Sequence, residues 1–360
     1  MKIGMSKSFM VMKIYKELFN RIVSLENIVA AWEEFRSDKG KKADVQAFEF
    51  SLEQNLFSLH HDLIAKRYSH GPYKGFYIRD PKVRHIHKAT VRDRVLHHAV
   101  FRILNPIFEK TFIANSFSCR IGKGTHKGVL AAESMIRRES RNYTRPCYAL
   151  KCDVRKFFDS IDHEILLAIL KKRIVDPDTM WLMEQIVRSF SAGQTTLFER
   201  HGVPIGNLTS QLFANVYMNE FDQFVKHDLK VKHYARYTDD FVVISTDEKY
   251  LEGLLDPFRK VIGDKLKLSL HPKKCAILDA GQGVDFLGYV ILPHYRLLRS
   301  KTKHRIFRKL KDRVTQFRRG EIDEHSLSQS LQSYLGALSH AHTYQLSQDL
   351  RNQCWYWIHE

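Results

Sequence analysis

Three aspartates carry the clearest chemistry in this sequence. Asp153 closes the short apolar run Tyr148-Ala149-Leu150, and Asp239 and Asp240 lie between two apolar arms, Tyr234–Tyr237 and Phe241–Ile244. Each of these acids ends or interrupts a strand-like segment instead of decorating a helix surface. Tertiary folding alone can bring the first to the other two. If their strands are neighbours, three carboxylates crowd into one space, and like charges at close range raise one another's pKa unless cations answer them. A pair of Mg²⁺ ions about 3.5–4 Å apart is the usual answer, and it makes a phosphoryl-transfer site. Mg²⁺ takes a few carboxylates together with substrate oxygens, which suits three acids.

Elements must position those groups. Ile14, Leu18, Ile22 and Leu25 recur at helical spacing, and a second helical run spans Phe48–Leu63. Between Tyr73 and Arg94, basic and aromatic residues interleave with short β-type pieces such as Gly75–Ile78. Val91–Leu104 reads as a helix closed by Pro106. Cys147–Asp153 reads as a strand, and the helix after it has Asp162 as N-cap and an apolar stripe of Ile165, Leu166, Ile169 and Leu170. Tyr234–Ser245 reads as a hairpin turning at Thr238-Asp239-Asp240, and Val284–Leu292 as one further strand. From Arg299 to Arg319 there are ten Lys or Arg and one acid, Asp312, above an apolar stripe of Ile306, Leu310, Val314 and Phe317. A second amphipathic helix, Leu327–Leu338, follows Gly320.

The 360 residues carry 58 Lys and Arg against 40 Asp and Glu, a net charge of +18. Such an excess is self-repelling in a compact chain and points to a polyanionic partner, nucleic acid first and an acidic membrane surface second. With 44% apolar residues the chain is neither disordered nor collagen-like. No apolar run is long enough to span a membrane, and Lys13 and Lys16 break any signal-peptide core between Phe9 and Phe19. The 5 cysteines show no C-x-x-C spacing, so neither a disulfide framework nor a zinc site is expected. They read as small core residues of a protein in a reducing cytoplasm.

Tyr237-Thr238-Asp239-Asp240 resembles the Y-x-D-D box of reverse transcriptases, and the other boxes of that family occur in order. Lys151-Cys152-Asp153-Val154-Arg155-Lys156-Phe157-Phe158-Asp159-Ser160-Ile161-Asp162-His163 resembles the first catalytic box, and Asn115–Thr125 the box before it. Leu270-His271-Pro272-Lys273-Lys274-Cys275 and Phe286-Leu287-Gly288-Tyr289 resemble the two later ones. The resemblance covers residues 75–295. It implies an α+β, right-hand polymerase: an N-terminal helical extension (1–72), fingers and palm with an antiparallel sheet (73–295), and a basic helical thumb (296–360). It implies Asp153, Asp239 and Asp240 as ligands of two Mg²⁺ ions, with Val154 adding a backbone carbonyl, and Phe158 as the aromatic gate against a ribose 2′-OH. Lys82 and Arg84 fall where the family's fingers hold the triphosphate.

One segment departs from most bacterial relatives. In Gly202-Val203-Pro204-Ile205-Gly206-Asn207-Leu208-Thr209-Ser210-Gln211, Ile205 stands where they carry Gln and Gln211 where they carry Pro. This variant resembles the reverse transcriptases of diversity-generating retroelements. It implies copying of a template-repeat RNA with errors opposite adenines, placing Ile205 and Gln211 at the nucleotide and Ile205 in control of fidelity. Template RNA, cDNA primer duplex and dNTPs are then the partners, together with a small basic accessory variability protein. Arg299, Lys301, Lys303, Arg305, Arg308 and Lys309 would track the duplex. Tyr73, Phe76, Tyr77 and His85 would be free to stack on bases, and Arg92 and Arg94 would face template or internal acids. A chain ending at Glu360 leaves no room for maturase, endonuclease or RNase H regions. A group II intron-like, retron or phage-defence reverse transcriptase, or a non-catalytic RNA-binding scaffold, are the alternative readings.

Overall fold

The computed structural model describes residues 13–79, 83–191 and 201–360. In chain order, α1 (Leu18–Val23), α2 (Leu25–Arg36), α3 (Ala43–Phe50) and α4 (Leu52–Ile64) precede the antiparallel hairpin of β1 (Lys74–Ile78) and β2 (Arg84–Lys88). Then come α5 (Val91–Glu109), α6 (Thr125–Glu139), β3 (Tyr148–Asp153), the single turn α7 (Phe157–Ser160), α8 (His163–Lys171), α9 (Pro177–Arg188) and α10 (Leu208–Gln223). A π-helical turn, Phe224–Asp228, extends α10. The chain continues through β4 (His233–Tyr237), β5 (Asp240–Ser245), α11 (Glu248–Asp264), β6 (Ala276–Asp279), β7 (Val284–Phe286), β8 (Tyr289–Leu292) and β9 (Tyr295–Leu298). It closes with α12 (Ser300–Arg318), α13 (Glu324–Leu338) and α14 (Tyr344–His359).

These elements form two compact units. One comprises Met1–Ala114, Val154–Asp228 and Arg259–Ser269; the other comprises Asn115–Asp153, Leu229–Phe258 and Leu270–Glu360. In the first, α5 is the central helix, with Val95, Leu96, Ala99, Val100 and Leu104 fully buried and α2 and α10 packed against it.

The N-terminal helices are shorter than the apolar spacing predicts. Ile14 lies outside α1 and is 51% exposed. Ser24 leaves the helical conformation, and its hydroxyl accepts from the Asn27 N–H to start α2 afresh. Ser51 likewise divides Phe48–Leu63 between α3 and α4. Pro106 does not close α5, which runs through it to Glu109. Burial of Ile107 and Phe108 beyond the proline, at about 1.5–3 kcal/mol each, offsets the roughly 3 kcal/mol a helical proline costs.

In the second unit a four-stranded antiparallel sheet has the order β4-β5-β3-β6. Helix α6 covers one face, and Val129, Ala132 and Ile136 meet Ala149, Ala235, Val242 and Ile244 there. The single strand expected over Val284–Leu292 is instead the hairpin β7–β8. Leu287 and Gly288 both have positive φ (51° and 89°), the two-residue turn whose twist matches antiparallel strands. The sheet β7-β8-β9 leads into α12, α13 and α14, which share a core of Ile306, Leu310, Val314, Leu327, Leu338, Leu350 and Cys354. Helix α14 completes that core and is absent from the two-helix expectation. Cys147, Cys152 and Cys354 are buried as read, whereas Cys119 is exposed and Cys275 half-buried, so those two are not core residues. Among the described residues no helix is long and apolar enough to cross a membrane.

Fully buried Leu310 anchors the terminal helices. Leu310→Ala should lower the unfolding free energy by about 2–5 kcal/mol, while exposed Lys303→Ala should stay within about 0.5 kcal/mol; parallel denaturant melts compare them.

Candidate active site

Strands β3 and β5 are neighbours, and their register sets Asp153 directly opposite Asp240. Tyr237 pairs with Asp240 across β4–β5, so the turn is Thr238-Asp239 and Asp240 is the first residue of the return strand. Thr238 has φ +56°, a left-handed conformation unusual for a β-branched residue. Two contacts hold it there. Its hydroxyl donates to Ser118 Oγ at 2.5 Å, and its carbonyl accepts from Arg236 Nη1 at 2.9 Å.

Arg236 is itself fully buried. Its backbone N–H donates to the Asn115 carbonyl and its carbonyl accepts from the Phe117 N–H, both at 2.9 Å. Asn115–Thr125 thus braces the outer edge of β4 beside the turn, and Thr125 Oγ1 reaches the Tyr237 hydroxyl at 3.4 Å. On the other side, the Asp153 carbonyl accepts from the His271 N–H at 2.7 Å, and its carboxylate accepts from Lys274 Nζ at 2.7 Å.

Electrostatics follow from that crowding. Burial, with the like charges of Asp153 and Asp240 added to it, pushes the Asp239 carboxyl up to about 6. Burial and the Asp153 charge also raise Asp240, against the opposing pull of Lys151, Lys274 and Arg299. Among the described residues no three His, Cys, Asp or Glu, the three aspartates included, are gathered as a group that could hold a metal ion. The Lys274 ammonium pairs with the Asp153 carboxylate. Asp153 and Asp240, paired across β3–β5, are of the kind Mg²⁺ takes, a hard ion that needs only one or two carboxylates and leaves its other positions to water and phosphate oxygens.

The remaining sequence-derived residues fall as follows. Lys82 lies outside the described residues. Arg84 opens β2 and is exposed. Phe157 is buried and Phe158 half-buried, their rings edge-on at 5.4 Å, so Phe157 is the core aromatic of the pair. The Phe158 carbonyl accepts from the Val203 N–H at 2.8 Å, and the Ile205 carbonyl from the His87 N–H at 3.4 Å. Phe158, Ile205 and β2 are therefore gathered within one unit. Gly206 (φ +115°) follows Ile205, where a Cβ would meet Ile86 Cγ2 at 3.2 Å. Gln211 is half-buried in the first turn of α10. Val154 directly follows Asp153 and is buried.

Some assignments change. Tyr73 is not free to stack on a base: its hydroxyl bonds Ser189 Oγ at 2.8 Å and its ring stacks on His70. Phe76 and Tyr77 are exposed, and Tyr77 stacks on His85 at 4.5 Å. Arg92 and Arg94 pair with internal acids, Asp62 at 2.8 Å and Asp44 at 2.5 Å. Arg299 is held by Asp285. Lys301, Lys303, Arg308 and Lys309 are exposed along α12, with Arg305 half-buried. Sequence reasoning assigned no role to Lys274, Arg236 or Ser118, although each lies in or beside a recognised box.

The family model for reverse transcriptase (RNA-dependent DNA polymerase) matches residues 78–291. The chain belongs to this family. The reverse transcriptase is 26% identical over 289 residues to Protein YkfC of Escherichia coli, covering 70% of this chain and 74% of that protein. It is 23% identical over 352 residues to the group II intron-encoded protein LtrA of Lactococcus lactis, covering 78% of this chain and 57% of LtrA. A shorter match, 29% over 126 residues, joins it to the mitochondrial nuclear intron maturase 1 of Arabidopsis thaliana, covering 34% of this chain and 17% of that protein. RNA-directed DNA polymerase is thus the enzyme class of this chain.

Asp239 makes a pH-dependent contribution whose sign is fixed. Its folded pKa of about 6 exceeds the ordinary 3.8, so the folded chain holds the proton longer and loses stability as pH rises between those values. In ion-free buffer Asp239→Asn should therefore raise Tm above the native chain at pH 7.5, with the difference shrinking toward about pH 4. Thermal melts across that range check it.

Proposed function

We propose that this chain is the reverse transcriptase of a diversity-generating retroelement, copying a template-repeat RNA into cDNA with errors at template adenines. The observation that carries the reading is the Gly202–Gln211 segment. Ile205 there is half-buried, and its backbone is tied to β2. An amide at that position could hydrogen-bond a nucleotide and penalise a misplaced pair; a branched aliphatic cannot. Loss of one such bond, at about 1 kcal/mol, relaxes discrimination roughly five- to tenfold.

In this reading β1–β2 belongs to the fingers, the sheet β4-β5-β3-β6 to the palm, and residues 296–360 to the thumb, with 1–72 as an N-terminal extension. Asp153, Asp239, Asp240 and the Val154 carbonyl would hold two Mg²⁺ ions. When bound, Mg²⁺ supplies charge neutralisation along the triphosphate and a lower pKa for the primer 3′-hydroxyl. The chain's own part is positioning for in-line displacement at the α-phosphate. Lys82 and Arg84 grip the triphosphate, and the Phe158 ring fills the space a 2′-hydroxyl would need. With Arg299 occupied by Asp285, Lys301, Lys303, Arg305, Arg308 and Lys309 carry the contact to the duplex backbone. A small basic accessory protein completes the assembly.

A group II intron-like enzyme is the second reading, favoured by the likeness to LtrA. Sequencing cDNA made from a defined RNA with Mg²⁺ separates the two. We expect substitutions concentrated at template adenines, lowered about five- to tenfold by Ile205→Gln, and incorporation reduced by roughly 10²–10³-fold or more in Asp239→Ala. Faithful copying of adenine by the native chain would remove the diversifying role and leave the polymerase. No incorporation above the Asp239→Ala background would remove both.

A further inference from the structure

Helices α2 and α4 pack side by side and leave an open groove between them, a cavity of about 540 Å³. Its floor is apolar: Leu25, Val29 and Trp32 from α2 face Leu52, Leu56 and Phe57 from α4. Two of these side chains remain far from buried, Val29 at 42% and Phe57 at 56% exposed. Two further apolar side chains of α3 and α4 are exposed. Ile64 lies seven residues beyond Phe57 on α4 and is 51% exposed, and Phe50, seven before it at the end of α3, is 93% exposed. Exposed apolar side chains gathered at a groove mark an interaction site. Only Phe57 and Ile64 share one helix, since Ser51 separates Phe50 from α4, and their seven-residue spacing is that at which one helix receives another.

The rim carries a sign opposite to that of the whole chain. Glu33 and Glu53 line the groove and are exposed, and neither has an ion-pair partner among the described residues. Glu49 is paired with Arg36 at 2.6 Å. Two uncompensated carboxylates beside an apolar floor repel phosphate, so this face of a chain of net charge +18 is unsuited to nucleic acid. They suit an apolar ridge flanked by Lys or Arg.

We propose that the α2–α4 groove docks a cationic amphipathic helix of a partner protein, its apolar ridge against Val29, Trp32 and Phe57 and its basic flanks against Glu33 and Glu53. The inference stands apart from the copying reaction, because none of these residues belongs to the site described above. The 12 residues of Leu25–Arg36 extend about 18 Å at a rise of ~1.5 Å per residue, so a helix of about 15 residues covers them.

The test uses the full chain and two fluorescent designed helices of about that length, sharing one leucine ridge but flanked by Lys in one and by Glu in the other. Anisotropy titrations should show saturable binding of the Lys helix and roughly tenfold weaker binding of the Glu helix. The charge-reversed chain Glu33→Lys/Glu53→Lys should invert that preference. Val29→Asp/Phe57→Asp should abolish binding while leaving Tm and primer extension unchanged. Equal binding of both helices, binding that survives Val29→Asp/Phe57→Asp, or no binding overturns the proposal. A dimer in light scattering that Phe57→Asp dissolves would also overturn it, since a second copy would then cover the groove.

Discussion

The antiparallel register of β3 and β5 is the constraint on which the candidate site depends. Ala149 lies opposite Ile244, Lys151 opposite Val242 and Asp153 opposite Asp240. Alternation along a strand puts these pairs on one face of the sheet. At one end the face is apolar, where Ala149, Val242 and Ile244 meet the buried side of α6. At the other end it is acidic. A slip of one residue would turn Val242 and Ile244 away from α6 and the aspartates toward the opposite face, so the apolar end fixes the register and the register delivers the acids.

A second constraint acts on the turn. A left-handed conformation at a β-branched residue costs on the order of 1–3 kcal/mol and persists only where its surroundings over-determine it. Here Ser118 holds the Thr238 hydroxyl and the buried Arg236 holds its carbonyl. The segment carrying Ser118 is in turn bonded to β4 through Asn115 and Phe117. The position of Asp239 therefore depends on a stretch more than a hundred residues earlier in the chain.

That dependence explains which features were legible in the sequence. The three aspartates, the β3 strand, the β4–β5 hairpin, the Asp162 cap and the basic helix α12 are written in local patterns, and each appears in the structure. The break at Ser24 was missed because a capping hydroxyl interrupts a helix without interrupting its apolar period, and the break at Ser51 because its backbone alone leaves the helical conformation (φ −121°, ψ 45°) within an unbroken apolar period. Pro106 was misread because burial on both sides of it is a tertiary fact, and the β7–β8 hairpin because Leu287-Gly288 sits within an unbroken apolar run. The hold of Lys274 on Asp153 and of Asp285 on Arg299 joins partners that no local period connects.

Lys274 also shows what the acidic corner lacks. Its ammonium sits on Asp153, and even with Lys151 and Arg299 acting on Asp240 both Asp239 and Asp240 keep raised affinities for protons. A proton relieves that repulsion only by removing a ligand. A divalent ion would relieve it while keeping the carboxylates ionised. The sheet register thus stores the cost of crowding at one corner: it sets Asp153 opposite Asp240 and leaves Asp239 and Asp240 with raised pKa values.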